Sequence, residues 1–327
     1  MQKIRYIGVF LFAILCMACE KNEELPSYKD RVITLNADID AEIASMSRAV
    51  SADIHTGTSV AGMKADVWFS TEKGIYPDNP SPTGPNFLPY RSSITYDIAG
   101  SPTTVYVDSA NKQNPVSYPI NKDSVYGVGL YPSNSWSCSD GKTASFVIDG
   151  STDIMFAEQI VGTWENPFPR QTYKHLLTWL KFEVVASHID AINQWGDITD
   201  LSIVNSDKTI NVTFPVAPES KNSVISYSGG TDTLNVVDTP MPLDITIKTS
   251  GSVLCKPTTA ITLSITTEEM GTKDIVVQLY DDKGVKITDP AQTMGKLFII
   301  NISFSKFNYM KCPKLSINKL WKIIYLS

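Results

Sequence analysis

The chain has 327 residues, of which 43% are hydrophobic and 19% charged, enough for two domains of ordinary size and too balanced for a disordered polypeptide. A formal net charge of −6 offers no basic stripe to replace phosphate counterions, so nucleic acid is excluded as a partner.

The chain opens with Lys3 and Arg5, the apolar run YIGVFLFAILCMA, and then Cys19. This is a signal-peptide pattern over residues 1–18, too short to span a bilayer as a permanent helix. The small Ala18 directly before Cys19 resembles a bacterial lipobox, although Cys16 stands where a leucine is usual, with Leu15 adjacent. Acylation of Cys19 would anchor the protein to outer-membrane lipid without a spanning segment. Residues 19–30 are polar, lack apolar periodicity and read as a tether, and their lysine followed by acidic residues looks like a surface-export signal. With Cys16 removed and Cys19 acylated, Cys138, Cys255 and Cys312 remain. They are widely spaced and odd in number, which indicates no disulfide framework and no zinc site.

From residue 31 onward nearly every candidate element alternates with period two. In RVITLNADID (31–40), Ile33, Leu35, Ala37 and Ile39 fall on one side and form the expected buried face. After it stands Ser47-Arg48-Ala49, where Arg48 is one of only four arginines beyond Met17 and lies among small residues like a cleavage site. Strand-like runs continue at 65–71, 103–109, 124–132 and 144–150, interrupted by a proline-rich surface loop at 76–90. Pro167 and Pro169 exclude central-strand pairing and place a domain boundary near residue 170. Beyond it lie TWLKFEVVA (178–186), with Lys181 and Glu183 expected to face water, then a short helix within 186–197 ended by Gly196. Further strands are expected at 244–250, 260–267, 274–282 and 296–305. Turn signals at Asp140-Gly141, Gly229-Gly230 and 281–284 agree. The expected fold is therefore all-β with antiparallel sheets, each having one buried face. The domains are 31–170 and 171–310, followed by a basic tail or terminal strand over 311–327.

The residues offer little for catalysis. Three histidines, His55, His175 and His188, have no metal-ligand spacing, and His175 reads as a domain-interface residue. The glycines at 57–62 and 127–129 match neither a nucleophile elbow nor a dinucleotide fingerprint. The run 281–289 lacks the ligand pattern of a calcium loop and reads as a hairpin turn. No catalytic residue, metal or cofactor is expected, and the chain is not expected to be an enzyme. Trp68 and Trp179 lie inside strand patterns and read as core, whereas Trp136 and Trp164 lie in polar, loop-like contexts and are the candidates for ligand contact. A glycan-binding module is thus one reading of the chain.

Four features together resemble the fimbrillin-like (Mfa-like) family of type V pilus subunits of Bacteroidales-type bacteria. They are the lipobox Cys19, the early strand ending in Ser47-Arg48-Ala49, DIMFAEQ (153–159) and YKHLLTWLKFEVV (173–185). The resemblance implies two tandem β-sandwiches of transthyretin-like topology in a fimbrial subunit exposed at the cell outer membrane. It also implies that an arginine-specific protease cuts between Arg48 and Ala49, removing the strand that carries Ile33, Leu35, Ala37 and Ile39. A strand from another pilus subunit would then fill the apolar groove, satisfying backbone and side chains together. Members at the pilus base are understood to keep the first strand, which leaves a non-polymerising surface adhesin, contacting a host protein or glycan, as the alternative. The last stretch departs from the family pattern, with five lysines and no acidic residue from Lys306 to Ser327.

Overall fold

In the computed structural model, residues 31–40, 60–77, 88–96, 101–108, 111–217, 222–230, 232–237 and 240–306 are described, together with the backbone of two strands at 317–318 and 321–326. The early stretch forms β1 (Thr34–Leu35) and β2 (Ala37–Ile39). It is followed by β3 (Lys64–Ser70), β4 (Tyr90–Thr95), β5 (Thr103–Thr104), β6 (Tyr106–Asp108), β7 (Gln113–Pro115), β8 (Val125–Tyr131), β9 (Thr143–Val147), β10 (Met155–Gly162) and β11 (Gln171–His175). The second half contains β12 (Thr178–Ala186), α1 (Ile189–Trp195), β13 (Ile198–Ser206), β14 (Thr209–Thr213), β15 (Val224–Ser228) and β16 (Asp232–Val237). It ends with β17 (Lys248–Cys255), β18 (Ala260–Thr267), β19 (Gly271–Gln278), β20 (Leu297–Phe304), β21 (Ile317–Asn318) and β22 (Trp321–Leu326). The all-β expectation holds. The short helix is present where Ile189, Ile192 and Trp195 are spaced by three, and Gly196 caps it with φ 69°.

In the first half a six-stranded sheet runs in the order β2-β11-β10-β8-β3-β4. Both of its faces are covered. Ala65, Val67 and Phe69 of β3 enter one core, with Met155, Ala157 and Tyr173. Trp68, Val128, Leu130 and Phe156 enter another on the opposite face. Burial on both faces explains why six of the seven β3 residues are buried rather than every second one. Gly129 of β8 lets the Tyr173 ring lie flush on the sheet: a Cβ there would come within 2.3 Å of the Tyr173 hydroxyl. Because Tyr173 is fully buried, Gly129→Ala is expected to cost about 1–3 kcal/mol through overpacking, read as a lower midpoint in urea unfolding.

In the second half two sheets, β17-β12-β20-β22-β21 and β16-β13-β18-β19, enclose a core that includes Leu180, Phe182, Leu201, Leu263, Ile302 and Phe304. Trp195 closes one end of it, packing edge-on to Phe304 at 5.3 Å and donating its indole N–H to Ser305 O at 2.8 Å.

Three expectations need correction. Not every ladder is antiparallel: β2–β11, β12–β20 and β20–β22 are parallel. Where these strands meet after crossovers, no hairpin dictates their direction. Glu183 does not face water, being only 9% exposed; β12 lies between β17 and β20, and Glu183 accepts a 3.1 Å hydrogen bond from Lys181 Nζ. The run at 244–250 becomes strand only at Lys248, and Ile245 and Ile247, which alternate like a buried face, are 59% and 64% exposed.

The halves are joined by a sheet that neither could form alone. Strand β14, from the second half, pairs with its own hairpin partner β15 and with β9 of the first half, in the register Ile210↔Phe146 and Val212↔Ala144. The inner face of this sheet covers the core of Trp68, Phe156 and Phe214, which Trp179 and Leu254 enter from the second half. His175 stands at the same junction. Its Nδ1 lies 2.9 Å from Asp153 Oδ2, both side chains almost fully buried, and its Cβ lies where a side chain at Gly295 would touch it.

Candidate functional site: the first strand and its cradle

Residues 31–40 form one extended stretch that serves two sheets in succession. Alternate side chains point inward: Ile33, Leu35, Ala37 and Ile39 are 0%, 0%, 1% and 4% exposed, and all four belong to the core beneath the six-stranded sheet. The residues between them are half-buried, the period-two consequence of the pleat.

The backbone is held in two ways. Ile33 N–H donates to Val116 O at 2.8 Å, its carbonyl accepts from Val105 N–H at 3.1 Å, and Arg31 O accepts from Tyr118 N–H at 2.8 Å. Thr34 and Leu35 pair with Thr104 and Thr103. The chain then crosses over, so that Ala37, Asp38 and Ile39 lie parallel to Gln171, Thr172 and Tyr173 on the edge of the six-stranded sheet. Gln171 N–H donates to Asn36 O and Asp40 N–H to Tyr173 O, both at 2.8 Å. Two arginines pin the ends. Arg31, 5% exposed, donates from Nη1 to Tyr118 O at 2.6 Å. Arg170 donates to Asp38 Oδ2 at 2.7 Å, with both side chains about half exposed.

The floor of the cradle is aromatic. Tyr96 and Tyr173 are fully buried, edge to face at 6.1 Å with hydroxyls 3.3 Å apart. Burial pushes both phenols far above the usual tyrosine range. The cradle is a slot of apolar pockets at alternate positions, flanked by backbone donors and acceptors on either side, which is the geometry that holds an extended strand.

The remaining sequence candidates separate. Cys19, Arg48 and Ala49 lie outside the described residues. Trp136 and Trp164 are both half-buried but far from sharing a site. Trp164 packs against the first-half core with Lys122 Nζ 5.5 Å from its ring. Trp136 tilts on Phe146 at 5.3 Å and borders a cleft of about 510 Å³. Arg91 enters that cleft with its guanidinium 4.2 Å above the Trp68 ring, donating to Tyr76 O and, at 3.2 Å, to Cys138 O. Asp140 Oδ1 accepts from the backbone of Lys142 and Thr143 at 2.8 Å each, which holds its carboxyl below the usual range. Trp68 and Trp179 are buried. Cys138 and Cys255 are free thiols; burial pushes Cys255 up to about 12, which leaves it inert near neutral pH. Among the described residues no cluster of His, Cys, Asp and Glu could hold a metal ion, and no helix is long and apolar enough to cross a membrane.

Sequence reasoning missed two elements of this region. The strands at 209–213 and 224–228, which carry the inter-half sheet, alternate cleanly in TINVT and VISYS and could have been found by the same periodicity. Of the clamps, 103–105 falls inside the run 103–109 that alternation marks as strand, whereas 116–118 has no local signal, since it is defined by what lies opposite it.

No family model matches the chain and no curated protein matches it. Among solved structures it is similar to a candidate cell adhesion protein from Bacteroides uniformis, with 14% identity, a TM-score of 0.48, and coverage of 85% of this chain and 94% of that one. It is similar to a candidate polysaccharide binding protein from Bacteroides thetaiotaomicron at 10% identity and TM-score 0.47, covering 84% and 92%. It is also similar to the fimbrial anchor protein Mfa2 from Porphyromonas gingivalis at 10% identity and TM-score 0.38, covering 82% and 90%. Proteins named for cell adhesion and for fimbrial anchoring are thus among its structural neighbours.

Proposed function

We propose that this chain is a structural or adhesive subunit of a cell-surface fimbria, exported as a lipoprotein acylated at Cys19 and assembled by strand exchange at the cradle of residues 31–40. The observation that carries this reading is the strand itself. It contributes four buried side chains to the core, yet it pairs with its neighbours over only two and three residues on the two sheets. It enters the fold before any other described element, so a single cut downstream frees it from the rest of the chain. Arg48 stands in the connection between β2 and β3, where a cut separates the strand without opening either sandwich. An empty cradle exposes apolar pockets and unpaired edge groups together, and a strand from a second subunit satisfies both. Head-to-tail repetition of that contact does not close, so it produces a filament.

An arginine-specific protease applied to the folded chain is expected to release the segment ending at Arg48, leaving a new N-terminus at Ala49. Oligomers that survive mild detergent should follow, while Arg48→Gln stays uncut at this bond and monomeric. A cut chain that remains monomeric at every concentration would refute strand exchange. A second reading, a non-polymerising surface adhesin that keeps its first strand, is favoured by the C-terminal pairing: β22 lies parallel on β20 within the same chain, in the register Ile302↔Ile324. In that case protein recovered from the cell surface begins at acylated Cys19.

A further inference from the structure

The cleft bordered by Trp136 continues onto a second surface, the outer face of the sheet that joins the halves. In β9, β14 and β15 the inward side chains, among them Phe146, Ile210 and Val212, are buried. The outward ones are Thr143, Ser145 and Val147, then Thr209, Asn211 and Thr213, then Val224, Ser226 and Ser228. None of these nine outward side chains is charged. Its hydroxyls and amides are already aligned by one another: Ser145 Oγ donates to Asn211 Oδ1 at 2.6 Å, Asn211 Nδ2 donates to Ser228 Oγ at 3.0 Å, and the Thr143 and Thr213 hydroxyls lie 3.3 Å apart. Thr143 and Ser145 belong to both the cleft and the sheet face, so the two surfaces are continuous.

The cleft supplies what the flat face lacks. Trp136, half-buried, offers an aromatic wall to the cleft. Arg91 and Asp140 are the two ionisable side chains of opposite charge in the lining, and they balance. A volume of about 510 Å³ falls in the range of small-ligand sites.

We infer that the Trp136 cleft and the Ser145–Asn211–Ser228 row form a binding site for an uncharged glycan. An aromatic ring covers the apolar C–H face of a sugar, and groups that both donate and accept match its hydroxyls. A balanced, open lining selects against strongly anionic polymers. The site lies on the sheet shared by the two halves, away from the first strand, so a subunit whose cradle is filled keeps it open. The inference deepens the adhesive reading above and rests on it for its biological meaning, but the two fail separately: strand exchange is read from oligomers after cutting at Arg48, glycan binding from the uncut chain.

The test is affinity electrophoresis of the full chain through native gels containing yeast mannan, arabinoxylan or laminarin, with polygalacturonate and chondroitin sulfate as acidic counterparts. Retardation by at least one neutral polysaccharide is expected, weakened about tenfold or more by Trp136→Ala, as for an aromatic anchor at a binding surface. Because Trp136 also packs on Phe146, Asn211→Ala, which lies on the outer face, is the second variant and should weaken retardation without altering the melting temperature. Failure of all three neutral polymers to retard the protein, retardation by the acidic polymers alone, or retardation indifferent to both substitutions would overturn the inference.

Discussion

Leu35→Ala is expected to destabilise the intact chain by about 2–5 kcal/mol, the range for removing a fully buried leucine from a packed core. Leu35 has no exposed surface and stands in the first-half core beside Ile33 and Ala37. Its backbone is held by a ladder of only two residues, so side-chain burial carries most of what keeps this stretch in place. Thr34→Ala, one residue away on the half-buried side, should change stability by about 0.5 kcal/mol or less. Urea unfolding of both variants measures the contrast. On the strand-exchange reading the difference should disappear once the chain is cut at Arg48, because the altered residue has left with the released segment. If the difference persists, the segment remains in its cradle after cutting.

The second large effect belongs to the junction. His175→Ala should cost about 3–5 kcal/mol, because it leaves the Asp153 carboxylate, 1% exposed, without the imidazole facing it at 2.9 Å. Adding Asp153→Asn in the same chain should recover part of the loss, since a neutral amide is cheaper to bury than a carboxylate that has lost one of its partners. Tyrosine and tryptophan fluorescence should follow a single transition in these variants, because the core containing Trp68, Phe214 and Trp179 draws on both halves. Unfolding in two separated steps would show instead that the halves are stable independently of the sheet they share.

The parts of the fold legible in sequence were those governed by local periodicity. Alternation in 31–40 marks Ile33, Leu35, Ala37 and Ile39 as one face, and the structure places all four inside. The same rule misleads where a strand is covered on both sides or on neither. Glu183 alternates as a solvent-facing residue but lies between two neighbouring strands; Ile245 and Ile247 alternate as core but meet no sheet. The two candidate tryptophans read alike in sequence, both flanked by polar residues. One packs against the first-half core and the other borders an open cleft beside a row of hydroxyls.

By itself, then, the sequence determined the all-β class, the short helix before Gly196, the core positions of Trp68 and Trp179 and the apolar face of the first strand, because each depends on neighbours within a few residues. Only the tertiary structure decided that β2 runs parallel on the edge formed by β11, that β14 joins the two halves by pairing with β9, and that Trp136, Ser145 and Asn211 share one surface. Those arrangements bring together residues far apart along the chain. Pairing direction and partner are set by which edges and apolar faces remain uncovered once the rest has packed, and no local pattern records that.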